Sequence, residues 1–458
     1  MSRSLRRAIV TELGAPASPS FDLAFWHSLS GLEWSHVLDW LDLSGLALYF
    51  WQKMKSQHAE NALPSFVQER LARCYEENCV RVAAIRREFS TLNDLFDDAG
   101  VQYAALKGLA LVPHYCPEPA HRTQYDHDYL IGINSLARAE AVLHRSGYKP
   151  RFSGGNRHLV YFRPAPDAFP SEPQTSLYSA GLERSIELHV RLWDRGEEYF
   201  EVELPEDLLE RGCRRSWQGL EYWDLSDEDG LIVQVLHSFR HILHNWCRLS
   251  VFLEISHFLR QRTSDPDFWA RYRNRISKLR WVPEASAVVF KLTQELFGGY
   301  APAGLSSMIQ PRLSSILDEW IQRYGVSGAL DNFCGNKSSL FLHREFVTDR
   351  SMWAEVRRRR LLPFHRPHQL PEVLFNHGPS GLRRRLAQHL HGLRRLKFHA
   401  FSAVRYACES PRWQFHRMLR TPAGSKAGSS ANAEKGNRES EPSLEPVVTQ
   451  LRKTVIRD

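Results

Sequence analysis

Asp126 and Asp128 stand one residue apart in the run QYDHDYLIG (124–132), and a third acid, Glu187, stands between apolar neighbours in SIELHV (185–190). Strand alternation would put Asp126, Asp128 and Leu130 on one side, and Tyr125, His127, Tyr129 and Ile131 on the other. Carboxylates are depleted in strands, and two on one face repel each other. A shared divalent cation removes that conflict. If the strand carrying Glu187 is a neighbour, the three acids form an open oxygen site of the kind Mg2+ prefers, with room for water and substrate phosphates. Such a site draws a nucleoside triphosphate (NTP) and orients an in-line attack on its α-phosphorus. His189, on the Glu187 face, would sit at the edge of the ion, contact substrate, or simply hydrogen-bond a carboxylate. The plainer reading of D-x-D is a solvated strand face. The same tripeptide also holds a nucleotide-sugar metal in glycosyltransferases.

The elements needed to carry these residues are legible on either side. Val82, Ile85, Phe89, Leu92 and Phe96 recur at helical spacing, and Gly100 is placed to end that helix. VQYAAL (101–106) reads as a short buried strand, and Gly108 opens a turn into LALVPHY (109–115), predicted as a helix. Asn134 is a suitable N-cap for a helix ending at Gly147. Strands are predicted near 148–153 and 158–163, followed by a Pro- and Ser-rich loop (164–180). From Asp227 the pattern is helical again, with His237, His241 and His244 on one face, either lining a cleft or forming a second metal site. The fold class is therefore α+β, with a small mixed sheet embedded in a mostly helical protein. The predicted boundaries are a helical region 1–100, an α/β domain 101–225, a helical domain 226–350, a basic helical region 351–421 and a disordered tail 422–458.

The ordered set LKGLAL (106–111), His114-Tyr115, Arg122, DHDYLI (126–131), IELHV (186–190) and the histidines of the later helix resembles an uncharacterised bacterial nucleotidyltransferase family. That family belongs to the superfamily of DNA polymerase beta, and the resemblance covers approximately residues 75–260. It implies Asp126 and Asp128 as metal ligands and Glu187 as the third carboxylate, serving as ligand, general base or both. It implies that Gly108 lets the turn's backbone approach phosphates, with Lys107 and Arg122 supplying positive charge to the triphosphate. The usual Gly-Gly or Gly-Ser turn is replaced by Lys107-Gly108-Leu109, so phosphate binding would rest on backbone amides and on Lys107. His127 stands where an apolar residue is usual. The implied cofactor is Mg2+ (or Mn2+), with an NTP as co-substrate.

The 458 residues are 43% hydrophobic and 24% charged, ordinary for a globular chain. No run reaches the roughly 18–20 apolar residues of a membrane helix. The N-terminus has basic residues without a following apolar stretch, so no secretory signal is expected. Seven cysteines without a CxxC pair suggest reduced thiols in a cytoplasm and no zinc cluster. The net charge of +8 is uneven: residues 356–421 carry +13, leaving −5 for the rest. There Leu382, Leu386, Leu390 and Leu393 recur at helical spacing among arginines, an amphipathic basic helix suited to RNA, an anionic membrane surface or an acidic protein.

The sequence thus favours a metal-dependent nucleotidyltransferase acting on a hydroxyl of an unidentified small molecule, peptide or protein, with an RNA end as a further acceptor. The alternatives are a catalytically inactive relative that binds through its basic C-terminal region, and a D-x-D glycosyltransferase.

Overall fold

Strand β2 (Asp126–Ile131) lies inside a seven-stranded mixed sheet in the computed structural model of the chain. The described residues are 1–15, 23–153, 158–163, 177–181, 184–298, 306, 311–332, 337–361 and 382–420. The tail expected at 422–458 and most of the 164–180 loop lie outside them. The other strands are β1 (Tyr103–Ala105), β3 (Lys149–Ser153), β4 (His158–Phe162), β5 (Ser185–His189), β6 (Cys213–Trp217) and β7 (Leu220–Asp224), in the order β3-β4-β5-β2-β1-β7-β6. The pairs β2–β5 and β1–β7 are parallel and the rest antiparallel. The fold is α+β, with helical stretches on both sides of the sheet in sequence.

Alternation sorts the two faces of β2 as its sequence requires. On one face Tyr129 and Ile131 join Ile186 and Leu188 of β5 against Ile85, Phe89, Leu92 and Phe96 of the helix Ser65–Asp98. That helix ends as anticipated, with Gly100 at a φ of 63°. Phe89 stacks on Tyr129, and His127 fits the same layer because its Nε2 meets Glu88 Oε2 at 3.2 Å. On the other face Leu130 packs with Ala104, Leu106 and Val233, beneath the helix Asp227–Leu243. A larger apolar cluster joins the first seventy residues to the helices after 227.

Several local expectations change. The segment after Gly108 is a single 3-10 turn (Gly108–Leu111) and not a helix, because Pro113 has no N–H to donate and forces Val112 to an extended ψ of 138°. Asn134 does not cap the next helix. That helix spans Leu136–Arg145, and its preceding residue, Ser135, makes no cap hydrogen bond and instead accepts from the backbone N–H of Gln102 at 3.1 Å. The hairpin β6–β7 was not anticipated. It turns through Gln218 and Gly219, both at positive φ, the backbone a two-residue hairpin turn needs.

Candidate active site

The parallel ladder between β2 and β5 sets Asp128 directly opposite Glu187 and Leu130 opposite His189. Because Ile186 and Leu188 are drawn into the core, Glu187 and His189 turn to the Asp128 face. One ligand atom from each of Asp128, Glu187 and His189 lies within 4.8 Å of the other two. His189 thus joins two of the three carboxylates singled out from the sequence. Asp126 precedes the group by one pleat, on the same face, and feels the charge of Asp128, Lys107 and Arg122.

Asp128 is fully buried, and its Oδ1 accepts from Lys107 Nζ at 2.7 Å and from His189 Nε2 at 2.9 Å. Its Oδ2 is buried with no hydrogen-bond partner. Burial works against the charge on Asp128, but Lys107 and His189 hold the carboxyl well below the usual range. Burial, then the charge of Asp128, push Asp126 the opposite way. Glu187 is raised to about 8 by burial, then by Asp128 and Asp126, with Lys107 and Arg240 opposing. Burial alone would lower the pKa of Lys107, yet Asp128, Asp126 and Glu187 together raise it. His189 is lowered, chiefly by burial. The arrangement is a nest of three carboxylates with Lys107 as its directly bonded cation and Arg122 and Arg240 acting from nearby.

The Lys-Gly turn enters from the end of β1. Gly108 has a φ of 67°, and a Cβ there would lie 2.2 Å from Gln124 Nε2. Glycine is therefore required by backbone conformation and by the Gln124 amide, which donates to the Asp126 carbonyl at 2.7 Å. Arg122 is held by Glu254, whose Oε1 accepts from Arg122 Nε and from the Tyr49 hydroxyl, each at 3.0 Å. Its charge still reaches Asp126.

The three histidines of the helix Asp227–Leu243 and its end do not converge. His237 and His241 meet at 3.1 Å, whereas His244 turns to Glu198 at 2.9 Å. Burial first, then neighbouring cations including Lys107 and Arg240, keep His237 and His241 neutral, His241 at about 3. Gln124, Arg240 and Glu254 were not singled out from sequence, although Arg240 lies between two histidines that were. Glu254 acts through Arg122, Arg240 through Glu187 and Gln124 through Gly108, all partners that local spacing does not pick out.

Residues 30–298, which contain every group described above, match the model of a family described as uncharacterised nucleotidyltransferase. The chain belongs to that family. For this nucleotidyltransferase-family chain the match begins before and ends after the stretch 75–260 that the motifs covered, and it stops short of the basic C-terminal helix. No curated protein matches. A crystal structure of an antigenic nucleotidyltransferase-like protein from Paracoccidioides brasiliensis is similar at 16% identity, covering 42% of this chain and 87% of that one. Its TM-score of 0.26 is too low to bear on fold or chemistry.

Nucleotidyltransferase chemistry implies a divalent cation, and the donor set suits one. A buried carboxylate with an orphaned oxygen, Asp128, and a half-buried one, Glu187, face an imidazole nitrogen. The three donor atoms lie within 4.8 Å of one another, with His189 Nε2 2.9 Å from Asp128 Oδ1 and 3.5 Å from Glu187 Oε2, close to the roughly 3–4 Å between ligands that share an ion bound at about 2.0–2.1 Å. Mixed oxygen and imidazole ligation also accommodates Mn2+.

Proposed function

We propose that the chain is a metal-dependent nucleotidyltransferase that transfers a nucleoside monophosphate from an NTP to a hydroxyl of a small molecule, peptide or protein. The observation that carries this reading is the orphaned Oδ2 of Asp128 beside Glu187 and His189, a buried negative pocket that protein cations satisfy only in part. In this reading Asp128, Glu187 and His189 hold Mg2+ or Mn2+, and Asp126 is the next carboxylate on the same face. Bound there, the ion supplies charge neutralisation and alignment for the triphosphate.

The chain's own groups account for the remaining steps. Lys107 lies at the mouth of the turn and is the nearest ammonium to incoming phosphates. The acceptor oxygen attacks the α-phosphorus, the bond to the bridging β-phosphate oxygen breaks, and pyrophosphate leaves. In this reading Glu187 also takes the acceptor's proton, serving as ligand and general base at once. Neutral His237 and His241 add no positive charge that would compete with the ion. The glycosyltransferase alternative lacks support, since among the described residues β1 alone precedes β2 in the sheet and runs antiparallel to it.

The test is thermal shift with each of the four NTPs, with and without Mg2+, on wild type and the double variant Asp126→Asn/Asp128→Asn. A ligand that binds only the folded state raises the midpoint by mass action. The reading requires a Mg2+-dependent rise with at least one NTP that the variant loses. No rise with any NTP returns the chain to the class of inactive binding modules.

A further inference from the structure

We propose that the outward face of the helix Leu382–Arg420 is a docking surface for an anionic lipid bilayer. This 39-residue helix is fastened to the protein along one side only. Ser402 and Trp413 are buried, Tyr406 and Trp413 stack against Phe341, and Arg417 pairs with Glu345 at 3.0 Å. The other side is apolar and open. Leu390, Leu393, Phe401, Val404, Phe415 and Met418 are 46–69% exposed. At 3.6 residues per turn these six fall within an arc of about 100°, opposite Ser402, Tyr406 and Trp413. An exposed apolar stripe of that length is costly in water and marks an interaction surface.

The charges along the stripe select the partner. Arg394, Arg405 and Arg412 line one edge of the arc, and Lys397 lies within it, all of them exposed. The one acid in the helix sequence, Glu409, lies toward the protein, accepting from the Tyr324 hydroxyl at 3.2 Å and from Arg412 at 3.0 Å. A second copy of the helix laid on this face would set Lys397 and the arginines against their own kind. RNA would satisfy the arginines but leave the leucines, valine and methionine in water. A bilayer carrying anionic headgroups satisfies both, with the apolar arc at the acyl boundary and the cations among the phosphates. No helix among the described residues is long and apolar enough to cross a membrane, so the contact lies along the surface.

Co-sedimentation of the full chain tests this, with vesicles of phosphatidylcholine alone and vesicles in which about a third of the lipid is phosphatidylserine. Binding is expected only to the anionic vesicles, weakening as salt rises. Phe401→Ser/Phe415→Ser should lower affinity at least about tenfold by removing two inserted rings. Arg394→Glu/Arg405→Glu should lower it more than about twentyfold, at about fivefold per positive charge removed. Both pairs of substitutions are at exposed positions, and unchanged melting of either variant qualifies it for the comparison. No sedimentation with anionic vesicles overturns the proposal, as does equal binding to both vesicle types. So does undiminished binding by the Phe variant, which would reduce the contact to charge alone. A concentration-dependent dimer that the Phe variant dissolves, without vesicle binding, assigns the face to a second copy instead.

Discussion

The Lys107 ammonium lies 2.7 Å from Asp128 Oδ1, an internal cation seated on the most buried carboxylate of the candidate site. Lys107→Met should therefore do two opposite things. Without divalent metal it leaves Asp128 supported by His189 alone and lowers the melting midpoint, toward the ~3–5 kcal/mol typical of a buried pair that loses one partner. With Mg2+ or Mn2+ present the midpoint should recover by more than wild type gains, because the ion no longer competes with the lysine. Melting with and without metal checks both. A variant that metal stabilises no better than wild type would show that Lys107 and the ion do not share Asp128.

The two aspartates of the pair should respond to amidation with opposite signs in metal-free protein. Burial and the charge of Asp128 raise Asp126, so Asp126→Asn relieves repulsion and the midpoint should hold or rise. Asp128 is lowered because Lys107 and His189 outweigh burial, so Asp128→Asn orphans the lysine and the midpoint should fall. Nucleotidyl transfer should be lost in both. Matching shifts in metal-free melting would refute this assignment of charge.

Gly108→Ala should cost stability through its φ of 67° and through the 2.2 Å approach to Gln124. The left-handed backbone alone accounts for about 1–2 kcal/mol. Adding Gln124→Ala opens the space, so the double variant should recover the steric share and retain the conformational one. A urea-unfolding double-mutant cycle measures the coupling. Strict additivity would mean the amide moves aside without loss.

Glu88 offers a pH test away from the carboxylate cluster. Burial opposes its charge, but His127, the Tyr148 hydroxyl at 2.6 Å and Arg184 at 2.7 Å hold its pKa down at about 2. A depressed carboxyl contributes stability that is complete above its unfolded pKa and lost as pH falls through the folded one. The window is therefore from about 4.5 down to about 2, and the loss is up to about 3 kcal/mol. Glu88→Gln should be less stable than wild type at neutral pH and should lose less across that window, as acid titration of the urea midpoint would record.

Strands β2 and β5 could be read from the sequence because each buries one face, and burial writes alternation into the residues. The same reasoning put Phe89 and its helix against the sheet. What periodicity does not encode is which strands become neighbours. The pairing of Asp128 with Glu187 rested on a condition, and the entry of His189 into the group depends on the parallel register that satisfies it. The Lys107–Asp128 bond and the Gln124 amide over Gly108 are side-chain contacts made by a turn, where neither period applies. The 3-10 turn before Pro113 is hidden for a different reason: LALVPHY has the composition of a helix, but Pro113 brings no N–H to continue one.

Residues 132–184 separate β2 from β5 in the chain, yet the two strands lie side by side with Asp128 opposite Glu187. Were β5 to slide by one position against β2, Ile186 or Leu188 would stand opposite Asp128, and the charged pair would be driven into the layer now filled by Phe89 and Tyr129. The core therefore proofreads the alignment of the chemistry: a chain that packs its oil correctly has already matched its acids. Lengthening or shortening the Pro- and Ser-rich stretch 164–176 should be tolerated, whereas deleting a single residue within Ser185–His189 should not.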